Sequence, residues 1–297
     1  MTLSVAGVFP PIPTPFREDE SLALDQLQHN LERWNQTGLA GYVVGGSNGE
    51  FVFLSAEERL EVVRAARAAI PRNRLLIAGS GMESTRQTIA LSEGMAAAGA
   101  DAVIVVTPSY YRGRMDAQAY ERHYRQISQA SPVPVLLYSV PTNTGIELPA
   151  PAVIRLAAEP NIIGIKDSGG NISRIAGLVS DSPEGFQVLA GSASFFLASL
   201  AVGAVGCVAA LANLAAEALI GLLQAFRAGD LARAQADQAR LLKPNHAVTA
   251  GYGVPGLKAA MDMLGFYGGP VRSPLGPLGE PERNDLRQVL EAAGLLD

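Results

Sequence analysis

Short apolar runs alternate with amphipathic segments from one end of the chain to the other. Eight runs have the length and apolar continuity of buried strands: GVFPPI (7–12), GYVVGG (41–46), LLIAGS (75–80), AVIVVT (102–107), VPVLLYS (133–139), IIGIKD (162–167), FQVLAG (186–191) and VGCVAAL (205–211). Segments with helical spacing follow them, beginning with LDQLQHNLERWNQ and SAEERLEVVRAARAA and ending with LAAEALIGLLQAFRA. In the second, Ser55 and Glu58 form a capping box, and Leu60, Val63 and Ala66 then share one face. Strict alternation of strand and helix predicts a parallel sheet, since parallel neighbours need a crossover connection. Strands that are apolar throughout are buried on both sides. Eight of them suit a closed (β/α)8 TIM barrel better than an open sheet. We expect one barrel domain over residues 1–228, followed by a helical extension over 229–297 that carries DLARAQADQARLL, VPGLKAAMDMLGF and PERNDLRQVLEAAG. The length of 297 residues accommodates both, because such barrels typically need about 250.

Composition narrows the class. Hydrophobic residues make up 48% and charged ones 17%, and the net charge of -5 offers no basic footprint for nucleic acid or anionic lipid. Small soluble partners are expected instead. One stretch raises a membrane question, because no charge lies between Glu184 and Glu217. Gly185, Gly191, Gly203 and Gly206 cut it into pieces shorter than the roughly 20 apolar residues a span requires, so strand, helix, strand and helix are expected there. Cys207 is the sole cysteine, so no internal disulfide can form. The opening MTLSVAGVFPPIPTPF has no basic segment and four prolines, which argues against a secretory signal and for a cytoplasmic protein.

The candidate chemistry begins with a charge in an apolar strand. Only three lysines occur, Lys166, Lys243 and Lys258, while arginine supplies the other 20 basic residues. Arginine stays charged, whereas a lysine amine can lose its proton and become a nucleophile. Along NIIGIKDSGG, alternation puts Ile162, Gly164, Lys166 and Ser168 on one face and Ile163, Ile165 and Asp167 on the other. With the isoleucines toward the helices, Lys166 points into the barrel near the C-terminal end of its strand, where barrel enzymes carry their active sites. Gly164 would leave room for the lysine stem. Burial would favour the neutral amine that imine chemistry needs. The competing readings are a snorkelling lysine or an ion pair with Asp167, and the opposite face of Asp167 argues against the second. Tyr138, at a comparable position in VPVLLYSVPTNTG, is a candidate proton shuttle. GGSNGE (45–50) follows the second strand, and its glycines with Ser47 and Asn48 could turn donors toward a carboxylate. It is neither a Walker loop nor GxGxxG. His29, His123 and His246 lie far apart without ligand spacing, so no metal site is expected, and no GxSxG elbow is present.

Taken in order, PTPF (13–16), GGSNGE, TPSYYRG (107–113), YSVPTNTG (138–145) and GIKDSGG (164–170) resemble the dihydrodipicolinate synthase and N-acetylneuraminate lyase family of class I aldolases. The resemblance covers essentially the whole chain. It implies a Schiff-base lysine at Lys166, a proton shuttle at Tyr138 and a substrate carboxylate held by Ser47 and Asn48, with Ser168 lining the site. Tyr110 corresponds to a tyrosine that enters a neighbouring subunit's active site, although Tyr111 stands beside it. The resemblance also implies no cofactor, a small 2-oxo acid and an aldehyde as partners, and a homotetramer built as a dimer of dimers.

Within the family, GSNGEF, TPSYYRGRM, YSVPTNTG, IKDSGG and YGGPVRSPL look most like 4-hydroxy-2-oxoglutarate aldolases, which implies cleavage to pyruvate and glyoxylate. Dihydrodipicolinate synthases usually carry two threonines at Ser47 and Asn48, and at Asn143 an arginine that grips the aldehyde's carboxylate. A charge-assisted contact of that kind is worth about 1.5 to 3 kcal/mol, so its loss argues against condensation with aspartate semialdehyde unless Arg112 or Arg114 substitutes. That synthase reaction is the alternative, and a non-catalytic 2-oxo acid binding protein is the remaining one.

Overall fold

The computed structural model describes residues 3–296. Its strands are β1 (Gly7–Phe9), β2 (Gly41–Val44), β3 (Leu75–Gly79), β4 (Ala102–Val106), β5 (Val135–Ser139), β6 (Ile162–Asp167), β7 (Gln187–Ala190) and β8 (Gly206–Val208). All pair in parallel, and β8 returns to β1. Backbone bonds from Ala40 to Val8 and from Val43 to Pro10 join β2 to β1 and close a (β/α)8 TIM barrel. The intervening helices are α1 (Leu24–Trp34), α2 (Ala56–Ala69), α3 (Thr85–Ala97), α4 (Ala117–Ala130), α5 (Pro141–Thr144), α6 (Ala150–Leu156), α7 (Ile172–Asp181), α8 (Phe196–Ala201) and α9 (Ala216–Arg227). The charge-free stretch is β7, α8 and β8 as expected, and no described helix is long and apolar enough to cross a membrane.

Alternation along each strand builds two apolar shells. Phe9, Val43, Ile77, Leu136 and Leu189 fill the barrel interior, while Val8, Val44, Leu76, Leu137 and Val188 pack outward against helix residues such as Trp34, Val63 and Leu178. The capping box of α2 is formed, with the Ser55 N–H donating to Glu58 Oε2 at 2.8 Å and the Glu58 N–H to Ser55 Oγ at 3.2 Å.

One strand departs from simple alternation. The register between β5 and β6 slips by one residue, Val135 facing Ile162 but Leu136 facing Gly164. Ile163 is the extra residue of this bulge and turns into the interior, whereas Ile162 and Ile165 lie in the outer shell. Ile163 and Ile165 therefore do not share a face, contrary to the expectation from alternation. The role of Gly164 also changes: a Cβ there would stand 2.1 Å from the Gln187 carbonyl oxygen, so the glycine admits the β7 backbone rather than the lysine stem.

After α9 the chain forms α10 (Leu231–His246), α11 (Gly253–Met263) and α12 (Glu280–Ala292). A single π turn, Ala247–Gly251, joins α10 to α11.

The α3–α4 contact buries His123, whose Nδ1 lies 2.9 Å from Thr85 Oγ1. Burial pushes the imidazole down to about 4 from its ordinary 6.5. Because the folded value is depressed, the unfolded chain binds the extra proton between those two values. The contribution is therefore complete above pH 6.5 and is lost as pH falls toward 4. By pH 4.5 the loss should reach about 2.5 kcal/mol. Urea titrations at pH 7 and 4.5 should show this extra acid sensitivity in the parent and not in His123→Gln; equal sensitivity in both would refute it.

Candidate active site

The C-terminal ends of the strands open on a cavity of about 750 Å³. Ser47, Asn48, Tyr138, Asn143, Lys166 and Ser168 all line it, although they come from three separate stretches of chain. β6 delivers Lys166 from its inner face, directly in register with Tyr138 on β5, and both are buried at 4% and 5% exposure. The Lys166 Nζ sits 4.1 Å from the centre of the Tyr138 ring. Lys166 forms no ion pair among the described residues. Asp167 instead turns outward, accepting from Arg174 Nε at 2.9 Å and from the Gly169 N–H at 2.9 Å. Both the snorkelling and the Asp167-paired readings are thereby excluded.

Tyr138 is tuned by this arrangement. Burial on its own would raise the phenol, but the charge of Lys166 and the polar contacts from Ser47, Lys166 and Ser168 outweigh it and hold Tyr138 below its ordinary value. The Ser47 and Tyr138 hydroxyl oxygens are 3.3 Å apart. Ser47 starts a short 3-10 turn, Ser47–Gly49, immediately beyond β2. Ser168 follows β6 and packs so closely on Gly191 that a Cβ there would lie 1.9 Å from its hydroxyl oxygen.

Residues 4–293 match the dihydrodipicolinate synthetase family. The chain belongs to that family. It is 39% identical to an uncharacterized DapA-like lyase of Halobacterium salinarum over 99% of this chain and 96% of the relative. It is 34% identical to a probable mitochondrial 4-hydroxy-2-oxoglutarate aldolase of Emericella nidulans, covering 91% of this chain and 89% of that one. The dihydrodipicolinate synthase DapA-2 of Bacillus anthracis superposes with a TM-score of 0.93 at 28% identity, over 98% of this chain and 99% of the other. As a member of the dihydrodipicolinate synthetase family the protein is an enzyme of the lyase class, an aldolase by type.

Other parts of the site had no clear sequence signal. Val248, Thr249, Ala250 and Gly251 of the π turn, with Tyr252 just after it, line the cavity from the C-terminal side, over a barrel mouth that the strand pattern alone leaves open. Ser192 and Ser194 line it after β7. Glu50 and Lys166 are the only charged residues among those lining it, and the Glu50 side chain points away from it, into the protein. Tyr110 is not brought to this cavity. It is 78% exposed, stacks edge-on with Tyr111 at 5.0 Å, and its N–H is held by Glu83. Asn143 does line the cavity, while a Cβ on nearby Gly145 would lie 2.8 Å from Arg112 Nη1.

Proposed function

We propose that this family member cleaves 4-hydroxy-2-oxoglutarate to pyruvate and glyoxylate through an imine on Lys166. The observation that carries the reading is a buried amine, with no carboxylate partner among the described residues and in register with a depressed phenol, at the C-terminal mouth of a barrel. Tyr138 accepts a proton from the Lys166 side, and the neutral amine attacks the C2 ketone. Tyr138 returns that proton to the departing oxygen, and loss of water gives a protonated imine, whose C=N⁺ draws the electrons of the C3–C4 bond. Tyr138 takes the C4 hydroxyl proton as that bond breaks and glyoxylate leaves. Tyr138 then delivers that proton to C3 of the enamine, and hydrolysis of the imine returns pyruvate and free Lys166. Ser47 and Asn48 hold the carboxylate beside C2, and Ser168 stands across the same cavity. Asn143, Ser192 and Thr249 supply neutral donors for the distal carboxylate. Tyr110, exposed beside Tyr111, serves the site of a second subunit in a tetramer of paired dimers.

A synthase reaction is the second reading, favoured by the placement of Arg112 against Gly145 and by the likeness to the Bacillus anthracis synthase. The two are separated by assaying glyoxylate release from 4-hydroxy-2-oxoglutarate beside condensation of pyruvate with aspartate semialdehyde. Cleavage should dominate in kcat/KM. Strong condensation with negligible cleavage would replace this reading by the second.

A further inference from the structure

The loop that carries Ser47 and Asn48 ends in Glu50, a non-glycine residue in the left-handed region at φ 54. Few side chains adopt that backbone unless neighbours hold them there. Three bonds fix the loop locally: the Gly49 N–H to Gly46 O, the Glu50 N–H to Ser47 O, and Thr14 Oγ1 to Gly49 O at 2.7 Å. The Glu50 side chain runs the other way, into the protein. Its Oε1 lies 2.6 Å from Lys258 Nζ on α11, with both side chains 1% exposed. Its Oε2 accepts the Arg272 N–H at 2.9 Å.

Both partners are themselves anchored, Lys258 holding Glu50 by its ammonium and Arg272 by its backbone N–H. Lys258 Nζ donates to Pro270 O at 2.7 Å and sits 4.4 Å from the centre of the Phe16 ring. Arg272 lies over the same ring at 4.5 Å and donates to both carboxylate oxygens of Glu58, the capping residue of α2, and to Phe53 O. Burial draws the Lys258 amine below its ordinary value despite the attraction of Glu50. A buried ion pair adds little net stability, since desolvation consumes most of the Coulombic gain, yet removing one partner leaves an orphan charge. What such a pair does supply is a fixed geometry, and here it is placed two residues from Asn48.

We propose that Glu50 is a positioning residue, clamped by Lys258 and Arg272 so that Ser47 and Asn48 are held at the spacing a 2-oxo acid carboxylate needs. The helices after the barrel thus contribute to substrate binding through a residue that need not touch substrate. This inference rests on the reading of Ser47 and Asn48 as the carboxylate site.

The test is the pyruvate concentration that half-saturates borohydride labelling of Lys166, a property of the folded fraction that a mere loss of stability leaves unmoved. Lys258→Met should raise it about ten- to a hundredfold, the worth of a charge-assisted contact, with maximal labelling retained. The double variant Glu50→Gln with Lys258→Met removes both charges, leaves none orphaned, and should shift in the same direction even where the single variant folds poorly. Ser47→Ala and Asn48→Ala test the underlying reading by the same measurement. If they raise half-saturation while a folded clamp variant keeps the parent value, the clamp is refuted and the carboxylate site stands. If neither alanine variant moves it, the carboxylate site itself is wrong, and the clamp proposal falls with it.

Discussion

Replacing Lys166 by methionine should abolish borohydride-trapped pyruvate adduct and reduce cleavage by at least about 10⁴-fold, as expected when a covalent nucleophile is removed. The substitution keeps an unbranched stem of similar length in the same slot. The fold should not suffer, because a buried amine without a carboxylate partner is costly to keep dry and a thioether is not. Activity lost together with an unchanged or raised melting temperature is the expected pair of results. The other lysines provide an internal control. Lys258 is locked against Glu50, and Lys243 lies exposed on α10, outside the cavity. Peptide mass mapping should therefore place the parent adduct on Lys166 alone. An adduct on either other lysine, or full turnover in Lys166→Met, would end the imine account.

Tyr138→Phe should separate imine formation from bond cleavage. The ring that lies 4.1 Å from the Lys166 nitrogen stays in place, and only the hydroxyl facing Ser47 is removed. Labelling of Lys166 by pyruvate and borohydride should persist, while kcat falls by about 10²- to 10⁴-fold, the usual worth of a positioned acid-base group. The pH profile gives a second readout. The phenol is held below its ordinary value of 10.0, so the rise of parent activity with pH should be centred below that value and vanish in the phenylalanine variant. Wild-type turnover in Tyr138→Phe would exclude Tyr138 as the shuttle.

The residues that meet in the cavity differ in how readily they could be found beforehand. Lys166 stood out because a charge inside IIGIKD has no solvent-facing explanation in a strand buried on both sides. Tyr138 followed from the same alternation applied to the neighbouring strand. Lys258 offered the same anomaly, a lone lysine in the apolar VPGLKAAM, but a helix has a polar face to which such a residue can be assigned. Only its contact with Glu50, 208 positions earlier in the chain, shows that it is buried. The bulge at Ile163 was equally hidden. A slip in register is a property of two strands and leaves no mark in either alone.

Period and punctuation, both local in the chain, were enough to specify eight strand-helix units, their order and the face on which Lys166 would emerge. Those features depend on residues a few positions apart. Which side chains converge at the barrel mouth depends instead on contacts across dozens or hundreds of positions: the closure of β1 on β2 and β8, the π turn laid over the cavity, and the ion pair joining α11 to the loop after β2. Spacing along a chain carries no record of such distances, so they exist only once the barrel has closed.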